Sequence, residues 1–245
     1  MVTLKKLEKL PAARNTDRVI KLRKERVEEW EMIQDLDFAN NCIFIDEAGF
    51  NLHTQRKFGR SLKGTPAKDT VPTGRGVTVS ILGSITDAGV IDISLKQPQA
   101  AAMSKKRKGN GRSVAVVNGR IGTRMEHYLA YLSNVMDVLD RNNMKGHYFV
   151  MDNAPVHAPA TVRAFIESRG YKCLYLPPYS PFLNPIEEFW AKVKAGVRRN
   201  ALSAEDRLSE RICVSVHKVT RKDYQAWIRH AISFFPRCKN EERNL

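Results

Sequence analysis

Short apolar runs alternate along this chain with segments of helical periodicity, and that alternation restricts its architecture more than any other feature. "CIFIDE" (42–47) and "HYFVMD" (147–152) are rich in β-branched and aromatic residues, as strands buried inside a sheet must be. "GVTVSILGSIT" (76–86) and the Gly-flanked "GVIDISL" (89–95) read as a hairpin, and "YKCLYLP" (171–177) as a further strand. "RMEHYLAYLSNVMDVLD" (124–140) places Met125, Tyr128, Leu129, Leu132, Val135, Met136 and Leu139 on one helical stripe. "PATVRAFIESRG" (159–170) reads as a helix closed by Gly170. Strands mixed with helices of this length predict a layered α/β domain, a mixed central sheet flanked by helices.

Length and charge narrow the class of partner. A chain of 245 residues, 42% of them hydrophobic, suffices for one sizeable core. The formal net charge of +15 exceeds what solubility requires and points to a polyanion, with nucleic acid favoured over a membrane surface. No apolar run reaches the ~18 residues of a membrane span. The N-terminal stretch "MVTLKKLEKLPAARNTDRVIKL" lacks the apolar core of a secretion signal, so an intracellular protein is expected. Cys42, Cys173, Cys213 and Cys238 form no C-x-x-C pair, which argues against zinc or a disulfide framework.

The basic residues are clustered. Ile93 to Met125 contains no Asp or Glu but holds Lys96, Lys105, Lys106, Arg107, Lys108, Arg112, Arg120 and Arg124, in a Gly-containing loop at 97–124. A second patch, Arg56, Lys57, Arg60, Lys63, Lys68 and Arg75, is offset only by Asp69. One such run reads equally well as a solvated face, whereas two in one chain favour a DNA footprint. "KKRK" (105–108) also has the form of a nuclear import signal, a pattern that a phosphate-binding loop satisfies too. The expected location is the nucleus in a eukaryote and otherwise the cytoplasm or nucleoid.

Two buried strands end in an aspartate, Asp46 and Asp152, at the sheet edge where α/β folds carry their sites. For either one alone, a turn or capping role is an equal alternative. A third carboxylate comes from "LPPYSPFLNPIEEFW" (176–190), whose four prolines stiffen the backbone ahead of Glu187 and Glu188. Asn184 is suited to cap a helix and Pro185 to open it, the helix running to about Arg199. At roughly 100° per residue, with Ile186 at zero, Phe189, Trp190, Val193 and Val197 fall within about 60° and define the buried face. Glu187 lies near 100° on its margin, with Lys194 and Arg198 on the same stripe suited to phosphate, and Glu188 lies near 200°, toward solvent. Glu187 is thus the functional candidate, a capping-box role toward Asn184 being the alternative.

"IFIDEAGF", "FVMDNAPVH" and "YSPFLNPIEEFW" together resemble the catalytic domain of mariner-type DDE transposases, over about residues 40 to 200. The second Asp and the Glu of that family are commonly separated by thirty-four residues, and positions 153 to 186 are that number here. The resemblance implies an RNase H-like fold in which Asp46, Asp152 and Glu187 bind two divalent metals, Mg²⁺ or Mn²⁺, with DNA as substrate and a homodimer as one assembly. Three hard oxygen ligands suit those ions, and two ions ~3.5 to 4 Å apart stabilise both the attacking and the leaving oxygen of a phosphodiester. "FGRSLKGTPA" (58–67) resembles the family's basic hairpin, and His157 falls at the His of its D-N-A-x-x-H string, where a DNA or phosphate contact and a structural role are equally open. For Tyr179 and Asn184 structural roles in the rigid turn are favoured.

Three parts are expected: a connecting helical segment (1–40), the catalytic domain (41–202) and a C-terminal helical extension (203–245). Family members usually carry helix-turn-helix modules ahead of the catalytic domain, and 1–40 is too short for a pair. A truncated or domesticated, non-catalytic DNA-binding derivative therefore stands as the rival to a transposase-type endonuclease and strand transferase, with an RNase H-like nuclease on another nucleic acid as a third reading. In the extension, "SAED" (203–206) is a plausible helix start. Thr220 and Asp223 resemble a capped helix with Trp227, Ile228 and Ile232 on one face, packing on this domain or on a second protomer.

Overall fold

The structure, a computed structural model, describes residues 10–51, 61–66, 78–96, 125–153, 159–199 and 207–245. β1 (Cys42–Asn51), β2 (Thr78–Ile85), β3 (Val90–Lys96), β4 (Tyr148–Met151) and β5 (Lys172–Tyr175) form one sheet in the order β3-β2-β1-β4-β5. β1, β2 and β3 run antiparallel, while β1, β4 and β5 run parallel, so the sheet is mixed as the sequence predicts. The β2–β3 hairpin closes with Thr86 N–H donating to the Gly89 carbonyl at 2.8 Å, and Gly89 holds φ +147, open to a residue without a Cβ.

Strand alternation sorts the side chains into two cores. Along β1, Cys42, Phe44, Ala48 and Phe50 join one, Ile43 and Ile45 the other. The second core lies under α2 (Met125–Arg141) and α3 (Pro159–Ser168), whose Leu132, Val135, Met136, Val162 and Ile166 are buried. The first is covered by α1 (Asp17–Met32), α4 (Ile186–Arg198), α5 (Leu208–Val216), α6 (Arg221–Ser233) and α7 (Phe235–Lys239). Val27 and Trp30 of α1, and Tyr224, Ile228, Phe235 and Cys238 near the C-terminus, belong to that same core. The C-terminal helices therefore pack on this sheet within one chain. α6 opens with the expected capping box between Thr220 and Asp223, but Trp227 and Ile232 stay partly buried while Tyr224, Ile228 and Ala231 form its innermost face. "SAED" lies outside the described residues, and α5 starts at Leu208. No helix among the described residues is long and apolar enough to cross a membrane.

Candidate active site

The parallel pairing of β1 with β4 brings the two aspartates together. Its last aligned pair is Phe44 with Val150, and Asp46 and Asp152 each follow two residues later, hence on the same face and level with one another. Asp46 does not end its strand as the sequence suggests. β1 continues to Asn51 against β2, where Asp46 pairs with Gly83. What ends at Phe44 is the ladder to β4, and Asp46 stands just beyond the end of that ladder.

α4 supplies the third carboxylate on the same face. Its buried residues are Ile186, Phe189, Trp190, Val193 and Val197, the stripe that the helical projection selects, and each large side chain sealed there contributes about 1.5–3 kcal/mol. The approach to α4 is held by long-range bonds. Buried Arg23 of α1 donates from Nε to Ser180 Oγ at 3.2 Å and from Nη2 to the Arg14 carbonyl at 3.0 Å, with its guanidinium over the Phe182 ring. Asn184 does not cap the helix. Its Nδ2 instead donates to the Ile45 carbonyl at 3.3 Å, tying the start of α4 to the residue before Asp46.

Charge is concentrated around Asp46. Burial first, then the charges of Glu187 and Asp152, push the Asp46 carboxyl up to about 8, against the Glu47 N–H and Lys194, which favour ionisation. Glu187 keeps an exposed face, yet partial desolvation raises its carboxyl, Asp152 adds to the effect and Lys194 opposes it. Glu187 and Asp152 thus act on Asp46 through space, with Lys194 opposing them and its ammonium 5.4 Å from the Phe50 ring centroid. Among the described residues, no three His, Cys, Asp or Glu side chains are drawn into a ready-made metal-binding group.

Residues 96–209 match the family described as DDE superfamily endonuclease, a span that includes Asp152 and Glu187. The transposable element Tc3 transposase of Caenorhabditis elegans is 25% identical over 169 residues, covering 64% of this chain and 45% of that protein, so the match spans less than half of the relative's length. Residues 96–209 thus match a DDE endonuclease domain, and the chain is similar to mariner-type DDE transposases. Among solved structures, the Mos1 mariner paired end complex with Mn superposes with a TM-score of 0.77 at 18% identity over 100% of this chain and 69% of that one. The catalytic domain of Mos1 mariner transposase gives 0.63 at 15% identity over 95% of each chain. Those likenesses identify the fold as RNase H-like.

The remaining candidates divide by position. Lys194 and Arg198 flank Glu187 along α4, and Lys63 is exposed in a short turn segment. Arg56, Lys57, Arg60, Lys105, Lys106, Arg107, Lys108 and His157 lie outside the described residues. Glu188 departs from expectation. It is half-buried, with Oε1 at 3.1 Å from His230 Nδ1 on α6, and one turn later Lys192 pairs with Asp223 at 2.6 Å. α6 thus covers the flank of α4 that the projection assigns to solvent. The projection identifies what leaves the sheet-facing stripe, but what lies over the other side depends on residues some forty positions away. The Arg23–Ser180 bond likewise has no signal in local sequence.

Proposed function

We propose that this chain is a metal-dependent DNA endonuclease and strand transferase of the transposase type, with Asp46, Asp152 and Glu187 as its metal ligands. The observation that carries the reading is the register of β1 with β4, which sets Asp46 and Asp152 level on one face two residues past the last paired Phe44 and Val150, with Glu187 near enough for its charge to act on Asp46. An all-oxygen donor set without His or Cys fits Mg²⁺ or Mn²⁺ better than zinc. Two such ions bound there would stabilise charge at the attacking and leaving oxygens of a phosphodiester and lower the pKa of a water.

The protein's own groups would orient the substrate. Lys194 and Arg198 extend cationic charge along α4 from Glu187, suited to consecutive phosphates of one strand, and the net charge of +15 supplies the attraction for duplex DNA. The Asn184 tether and the Arg23 anchor would hold Glu187 against the aspartates during turnover. The relatives support this reading: Mos1 transposase has been solved as a paired-end complex with left transposon end, as a strand transfer complex, and with Mn or Mg. We extend the proposal to two copies of the chain acting together, as the paired-end complexes of that protein encourage.

The test is nicking of supercoiled DNA by purified protein with Mg²⁺ or Mn²⁺, expected to vanish with EDTA and in Asp152→Asn. Activity that survives Asp152→Asn refutes the mechanism. Tight, metal-independent DNA binding with no nicking under any divalent ion establishes the non-catalytic rival.

A further inference from the structure

Gly83 is an isolated glycine inside β2, a pattern that marks a close approach by another group. It pairs directly with Asp46 across the β1–β2 ladder, so both present the same face of the sheet. The approaching group is the indole of Trp190. A Cβ placed on Gly83 would stand 2.5 Å from Trp190 Cζ2 and 2.7 Å from Cη2, distances that real Cβ atoms essentially never show. Trp190 is 1% exposed, is packed edge-on against Phe50 at 6.0 Å, and has an indole N–H with no hydrogen-bond partner among the described residues. Its location is therefore set by shape.

Trp190 follows Glu187 by three residues, under one turn of the same helix. The depth to which its ring sinks toward Gly83 consequently sets how far α4 stands off the sheet at the level of Asp46. Glu187 and Asp46 are already close enough for the charge of one to raise the other. The neighbouring contacts would resist lateral escape of α4: Phe189 packs on Tyr224, and Lys192 is paired to Asp223.

We propose that Gly83 and Trp190 form a spacer that sets the separation of Glu187 from Asp46, making Gly83 a positioning residue for the metal-binding carboxylates. The inference rests on the reading of Asp46 and Glu187 as metal ligands. Adding one methyl at Gly83 would lift the indole and α4 with it. Replacing the indole by the shorter phenyl ring would remove the two atoms that meet the methyl. The substitutions should therefore compensate each other, which simple destabilisation at two core positions would not do.

The experiment compares the full chain with Gly83→Ala, Trp190→Phe and the double variant. Mn²⁺ affinity is measured by titration calorimetry, the Asp46–Glu187 carboxyl separation in metal-free crystals, and folding by thermal melts. Gly83→Ala should melt cooperatively, lengthen that separation and weaken Mn²⁺ binding by roughly 10- to 100-fold, the usual effect of disturbing the support of a metal site. The double variant should recover the wild-type separation and most of the Mn²⁺ affinity. An unchanged separation in Gly83→Ala overturns the proposal, and so does a double variant that is no better than Gly83→Ala. If the wild type binds no Mn²⁺ while the crystallographic separation shifts and recovers as described, the spacer stands and the metal-ligand reading falls.

Discussion

Asp223 joins α6 to α4, and its removal yields a stability change whose size follows from the structure. The Lys192 ammonium at 2.6 Å, first, and then the Thr220 backbone N–H at 2.8 Å hold the Asp223 carboxyl down at about 2, from 3.8. A depression of nearly two units corresponds at most to about 2.4 kcal/mol of stability at neutral pH. The side chain is 27% exposed, so solvent screening reduces this figure to about 1–2 kcal/mol. The same range follows independently from a lost N-terminal cap, ~0.5–2 kcal/mol, and an exposed ion pair, ~0.2–1 kcal/mol. Asp223→Ala should therefore lower the melting temperature by roughly 3–6 °C near neutral pH, and Asp223→Asn by less, because the amide still accepts from the Thr220 N–H. Because the folded pKa is depressed, the stabilisation is complete above the unfolded value near 4 and is lost as pH falls toward 2, with about half of it gone by about pH 3. Wild type and Asp223→Ala should thus converge in acid, as followed by calorimetry or denaturant titration. A difference under about 1 °C at neutral pH, or one that keeps its size in acid, would refute the assigned role.

In EDTA, an Asp46 carboxyl held up to about 8 stays protonated in the folded chain while the unfolded chain ionises near 3.9, so metal-free stability should fall as pH rises between those values. Asp46→Asn should abolish that slope and be the more stable protein at neutral pH; equal slopes in denaturant titrations at mildly acidic and neutral pH would contradict the burial and crowding of this carboxyl. Glu187→Gln should eliminate divalent-metal-dependent nicking, whereas Glu188→Gln, which can still hydrogen-bond His230, should retain most of it. The reverse outcome in a plasmid assay would mean that the wrong glutamate has been assigned to the aspartates. Duplex binding should be largely independent of sequence and weaken steeply between about 50 and 200 mM salt, so near-constant affinity in a filter-binding series would count against an electrostatic footprint. Changing residues 105–108 to alanine should move a tagged protein out of the nucleus of a eukaryotic cell, and an unaltered distribution would assign that run to DNA contact instead.

Local sequence was sufficient wherever the determining residues are neighbours in the chain. The β-branched runs, the 89–95 hairpin partner and the stripe Ile186, Phe189, Trp190, Val193 and Val197 were legible because period 2 and period 3.6 are set by adjacent side chains. Asp46, Asp152 and Glu187 stood out by the same logic, as charges at the ends or margins of buried runs. What the tertiary structure decided was partnership. Asp46 lies within a ten-residue strand, and Asp46 and Asp152 stand level beyond the paired strands because the ladder to β4 stops at Phe44 while the ladder to β2 continues. Asn184 is a tether because the Ile45 carbonyl, 139 residues earlier, is in reach. Glu188 is paired because α6 folds back over α4 and brings His230 to it. A side chain's chemistry and its face are local properties, but a hydrogen-bond or packing partner far along the chain is selected only when the whole sheet and its covering helices close together, the loop entropy of each crossover being offset by the shared core rather than by any one contact.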